Sequence, residues 1–123
     1  MTLIKTPEVT TSEAINMLRR AVVSSLDDEV LRMIFFGSRR KGIFSPDSDI
    51  DVLIILRHKR RESINRIFEI GNMVEQDILH YEIPLTIHII SDEEYRRFKV
   101  SKSPFILSIE KEGMVIYERT PQS

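Results

Sequence analysis

The sequence predicts an α/β fold of the α+β kind, with helices packed on one face of a small mixed sheet, and three observations predict it. Short apolar runs alternate with longer segments whose apolar residues recur at helical spacing. Capping and turn residues fall between these segments, at Asp27-Asp28, Gly37, Pro84, Ser91, Ser103-Pro104 and Gly113. No repeat, low-complexity tract or linker interrupts the series, so residues 1–123 read as a single domain, long enough to bury one core.

Thr10-Thr11-Ser12-Glu13 contains a Ser/Thr-x-x-Glu capping box, followed at helical spacing by Ile15, Leu18, Val22 and Leu26. A first helix is expected there, ending at Asp27-Asp28. Leu31 to Phe36 is a short apolar run cut off by Gly37, and Val52 to Leu56 is another; their lengths suit buried strands. About a dozen residues join them, so they can pair in either sense. Ile64, Ile67, Phe68, Gly71, Val74 and Ile78 mark one face of a long helix. Pro84 opens a third strand, LTIHII, and Ser91 caps the helix that begins at Asp92-Glu93-Glu94. Ser103-Pro104 starts a further helix, Gly113 ends it, and MVIYE forms the last strand.

Composition narrows the function classes. Eighteen basic and nineteen acidic side chains nearly cancel, so no global field announces a nucleic acid. Arg57, His58, Lys59, Arg60 and Arg61 form a local basic run, weak support for an RNA or phosphate contact and otherwise a solvated surface. The absence of cysteine excludes disulfides and thiolate zinc sites and fits a reducing compartment. The stretch MTLIKTPEVTTSEA lacks a signal-peptide pattern, and no apolar run approaches the roughly 20 residues of a membrane span. The expectation is a cytoplasmic protein with no membrane partner.

The chemistry concentrates in residues 37–51, GSRRKGIFSPDSDID. Asp49 and Asp51 are two apart on a strand, so both side chains point to one face and can share a hard cation. Their mutual repulsion reverses when magnesium sits between them. Gly37 lets the backbone approach a ligand closely, Ser38 adds a hydroxyl beside the following amides, and Arg39, Arg40 and Lys41 bring positive charge. Gly42 permits a second sharp turn. The pattern reads as a grip on a metal-bound triphosphate: the turn takes phosphate oxygens, the carboxylates take the metal.

FGSRRKGIFSPDSDIDVLIIL resembles the signature of the minimal nucleotidyltransferases of the DNA polymerase beta superfamily: Gly-Ser, ten residues, then Asp-x-Asp. Gly37, Ser38, Gly42, Ser48, Asp49 and Asp51 fall on the pattern, Arg39 and Lys41 match its basic positions, and the order of elements agrees over a core of about residues 10–118. The resemblance implies a nucleotidyltransferase fold and transfer of a nucleoside monophosphate, AMP from ATP, to a protein or nucleic-acid acceptor. One or two magnesium ions are implied as cofactor, with Gly37, Ser38, Arg39, Lys41, Gly42 and Ser48 binding the nucleotide. Members of this size commonly act beside a HEPN-domain protein in toxin–antitoxin pairs, which implies such a partner; self-association is a further expectation.

The superfamily places a third carboxylate on the strand after the long helix, where this chain reads IPLTIHIIS. Thr86 falls at that position, a metal ligand through its hydroxyl but no base near neutral pH. His88, two residues on and facing the same side, offers an imidazole able to accept a proton, its other reading being a structural polar residue at a sheet end. Asp49, Asp51 and Thr86 are thus the expected metal ligands, and Asp49, Asp51 and His88 the expected catalytic residues. The alternative is a catalytically degraded member that neutralises a partner by direct contact.

Overall fold

A computed structural model describes residues 5–43 and 48–120. The described chain runs α1 (Pro7–Leu26), a 3₁₀ turn (Asp27–Glu29), β1 (Val30–Phe36), β2 (Ile50–Leu56), α2 (Arg61–Asp77), β3 (Leu85–Ser91), α3 (Asp92–Val100), α4 (Pro104–Glu112) and β4 (Met114–Glu118). The four strands form one sheet in the order β3-β2-β1-β4. β1 pairs antiparallel with β2 and with β4, whereas β2 and β3, joined through α2, are parallel. The mixed sheet and the α/β class are those expected.

Two details differ from the sequence reading. α1 starts at Pro7, before the Thr10 capping box, because Thr6 already caps it: Val9 N–H donates to Thr6 Oγ1 at 3.2 Å, and proline suits the first helical turn. Helices also cover both faces of the sheet. Leu18 and Val22 of α1, with Ile67, Ile70 and Val74 of α2, pack on Met33, Phe35, Val52 and Ile54. Tyr95 of α3, with Ile106 and Ile109 of α4, packs on Ile34, Leu53 and Ile55 from the other side. The cause lies in β2, where VLIIL is apolar at both parities; a strand of that kind must be buried on both faces.

The elements end where local chemistry dictates. Ser91 and Glu94 form a complete capping box at α3, Glu94 N–H donating to Ser91 Oγ at 3.1 Å and Ser91 N–H to Glu94 Oε1 at 3.0 Å. α2 turns Ile67, Ile70, Gly71 and Val74 inward and leaves Phe68 half exposed, a face slightly rotated from the one expected. No helix among the described residues is long and apolar enough to cross a membrane.

Close packing between α4 and the sheet depends on Gly113, where an added Cβ would stand 2.5 Å from Ile109 O and 2.6 Å from Ile34 Cγ2. Both neighbours are held by backbone or core, so neither yields easily. Gly113→Ala is expected to lower stability by about 1–3 kcal/mol, the usual cost of overpacking, measured by denaturant unfolding. Unchanged stability would show that α4 is free to move off the sheet.

Candidate active site

Sheet register builds one end of the site. Phe36, the last residue of β1, pairs with Asp51 of β2, and Asp51 pairs with Thr86 of β3. These three positions form a row across the sheet two strand spacings wide, about 10 Å. Asp49 precedes β2 on the same side as Asp51, so both carboxylates lie on the face covered by α3 and α4.

The turn after β1 folds back onto this row. Lys41 N–H donates to Ser38 O at 3.0 Å, Gly42 N–H to Arg39 O at 3.1 Å, and Ile43 N–H to Ser38 O at 2.9 Å. Gly37 and Gly42 hold φ of +88° and +87°, which side chains rarely adopt. Gly37 is excluded from carrying a side chain for a second reason: its Cβ would collide with Asp51 Oδ2. The phosphate-sized turn is therefore packed directly on a carboxylate.

Charge around the row is unevenly compensated. Burial raises the Asp51 carboxyl above its ordinary range, the neighbouring Asp49 raises it further, and His88 partly opposes both. Thr86 Oγ1 donates to Asp49 Oδ2 at 3.1 Å. Arg39 is buried beneath: its Nε donates to the carbonyl of buried Ser48 at 2.8 Å and its Nη1 to Thr11 Oγ1 at 3.2 Å. Burial lowers the guanidinium's pKa, and the nearby Asp49 opposes that shift. Arg39, expected among the nucleotide-binding residues, has its Nε and Nη1 turned inward onto Ser48 and Thr11, tying α1 to the segment that carries the aspartates. Nothing local in the sequence marks Thr11 as its partner.

The other expected residues take different places. Lys41 and Gly42 sit on the exposed rim, and Lys41 Nζ lies 2.8 Å from Glu112 Oε2, a partner with no sequence signal. His88 is in register with Leu53, one step further along the sheet than Thr86, with its ring centroid 5.6 Å from that of Phe36 and 5.4 Å from that of Phe105. The basic run begins at the far end of β2, six residues or about 20 Å from Asp51. There Arg57 donates to Asp28 O and Lys59 pairs with Glu94 at 3.3 Å. Of the tyrosines, Tyr95 is buried and accepts a hydrogen bond from Arg32, Tyr117 packs against the core, and Tyr81 is exposed.

No group of three or more His, Cys, Asp or Glu side chains among the described residues is placed to hold a metal. Asp49, Asp51 and the Thr86 hydroxyl nonetheless suit magnesium, which prefers oxygen donors and is commonly held by one or two carboxylates, waters and substrate phosphates. The raised Asp51 carboxyl fits the same chemistry, since burial and the neighbouring Asp49 disfavour its charged form and a cation would favour it.

Because the folded state raises Asp51's pKa above its unfolded value, the group adds stability at low pH that is lost as pH rises through the folded pKa. At neutral pH the charged form is a net cost. Asp51→Asn is expected to raise the metal-free Tm at pH 7, with the gain shrinking below the ordinary carboxylate range. A lower Tm at pH 7 would contradict this charge balance.

The Nucleotidyltransferase domain family matches residues 15–116. A candidate protein adenylyltransferase of Methanocaldococcus jannaschii is 29% identical over 104 residues, 85% of this chain and 96% of that protein. Among solved structures, the toxin–antitoxin complex MntA–HpeT, in a tyrosine-to-alanine mutant form, contains a chain similar in fold with a TM-score of 0.51. That likeness covers 85% of this chain and 72% of the other at 13% identity. With the family match spanning most of its length and the glycine-serine turn lying against the paired aspartates, the chain belongs to the nucleotidyltransferase domain family.

Proposed function

We propose that the protein transfers a nucleoside monophosphate, AMP from ATP, to a hydroxyl of a partner protein, with magnesium as cofactor. The observation that carries this reading is the packing of Gly37 against Asp51, which puts the phosphate turn and the metal-binding carboxylates in contact. The Ser38 hydroxyl binds the outer phosphates, and Lys41 adds charge at the rim. Asp49 and Asp51 would hold the metal, which would withdraw charge from the phosphates. Thr86 fixes the orientation of Asp49 through its hydrogen bond. Arg39 steadies the same aspartate from below, through its charge and its bond to the Ser48 carbonyl.

In the transfer, the acceptor oxygen bonds to the α-phosphorus, the bond from that phosphorus to the bridging oxygen breaks, and pyrophosphate leaves. The acceptor's proton goes to His88, whose ring is kept on the catalytic face by Phe36 and Phe105. A protein acceptor is supported by the naming of the Methanocaldococcus relative as a candidate protein adenylyltransferase. A toxin–antitoxin setting is supported by the MntA–HpeT likeness, and a HEPN-domain partner by the family resemblance. Thr86 favours a second reading, a degraded enzyme that acts by binding its partner, because its hydroxyl cannot serve as a base.

Calorimetry is expected to show ATP binding that requires magnesium and is lost in the Asp49→Asn/Asp51→Asn double variant. Equal affinity in that variant would sink the metal grip. Thr86→Asp is expected to speed transfer by roughly 10-fold or more, a fraction of the ~10²–10⁴ of a positioned base, while His88→Gln slows it. If wild type and Thr86→Asp both bind ATP yet transfer nothing to the partner, as judged by intact-protein mass, the binding-module reading holds instead.

A further inference from the structure

Between the glycine-serine turn and α4 lies a cleft of about 250 Å³. Gly37, Ser38 and Lys41 line one wall, and Ser108, Ile109 and Glu112 line the other. Lys41 enters this space already partnered, with Nζ 2.8 Å from Glu112 Oε2. The two side chains are 50% and 43% exposed, so burial holds neither and the pair can exchange partners.

Glu112 is an unusual residue for its place. It is the last residue of α4, where unpaired carbonyls and the helix dipole disfavour an anion. The hydrogen bond and charge of Lys41 offset this, holding the Glu112 carboxyl below the usual carboxylate range. A carboxylate in a locally unfavourable position thus occupies the lysine that the turn presents to the cleft. Phosphates entering beside Ser38 would bring negative charge against that carboxylate unless the lysine changes hands.

We propose that Glu112 is a positioning residue that latches Lys41 at rest, and that the outer phosphates of a bound nucleoside triphosphate take Lys41 from it. The inference rests on the nucleotide reading above and adds α4 to the phosphate site. Every ligand that uses Lys41 must first break the pair, so the latch weakens triphosphate binding. A monophosphate, which ends at the aspartates and does not reach the outer part of the cleft, is unaffected.

The test is calorimetry with magnesium-ATP and with AMP on wild type, Glu112→Gln, Lys41→Gln and the double variant. Glu112→Gln is expected to bind magnesium-ATP roughly two- to fivefold more tightly, the range set by the worth of an exposed ion pair. AMP affinity should not change, and the gain should vanish in the Lys41→Gln background. Unchanged or weaker ATP binding in Glu112→Gln overturns the latch, as does an equal gain without Lys41. If wild type binds magnesium-ATP and loses it in the Asp49→Asn/Asp51→Asn variant while Glu112→Gln changes nothing, only the latch fails. If wild type binds no ATP at all, the nucleotide reading and the latch fall together.

Discussion

The contact between Gly37 and the Asp51 carboxylate is the constraint around which the rest of this end of the molecule is arranged. A hydrogen at position 37, where every other residue would place a carbon on Asp51 Oδ2, lets the turn close on the strand that carries the aspartates. That closure requires β1 and β2 to run antiparallel in a register that sets Phe36 opposite Asp51. It also requires the positive φ of Gly37, so two independent reasons exclude a side chain there. The parallel pairing of β3, reached through α2, then brings Thr86 to the other side of Asp51.

The electrostatics follow from this packing. Asp51 is held where water is scarce and Asp49 is close, an arrangement that costs stability at neutral pH. Asp49 is better served, with Arg39 nearby below and the Thr86 hydroxyl beside it. The two carboxylates, alike in sequence, therefore have different partners. Basic residues around them divide in the same manner: Arg39 is turned inward, whereas Lys41 stays at the rim, paired with Glu112. An arginine suits the first task because its planar donors satisfy the Ser48 carbonyl and Thr11 together.

Covering both faces of the sheet has a functional consequence. The layer of α1 and α2 buries the larger core and anchors Arg39 through Thr11. The layer of α3 and α4 lies on the face that carries Asp49 and Asp51, where Phe105 meets His88 and Glu112 meets Lys41. Opposite ends of the sheet are also separate: the basic run after β2 is engaged with Asp28 and Glu94, about a strand's length from the aspartates.

By itself the sequence determined what is local. Capping residues, helical periodicity and short apolar runs placed every strand and helix within a few residues, because each signal acts over one turn or one strand. The spacing of Asp49 and Asp51 put both on one face for the same reason, since a strand alternates with period two. The start of α1 was placed at the Thr10 box, whereas Thr6 and Pro7 begin it three residues earlier. Tertiary structure alone decided the rest. The sense of β1–β2 pairing was open because a dozen residues permit either, whereas the second helical layer was implied by β2, apolar at both parities, and was missed. The inward turn of Arg39 onto Thr11, 28 residues away, and the pairing of Lys41 with Glu112 depend on α1 and α4 docking on the sheet. Such contacts join residues far apart in the chain, and no local propensity records them.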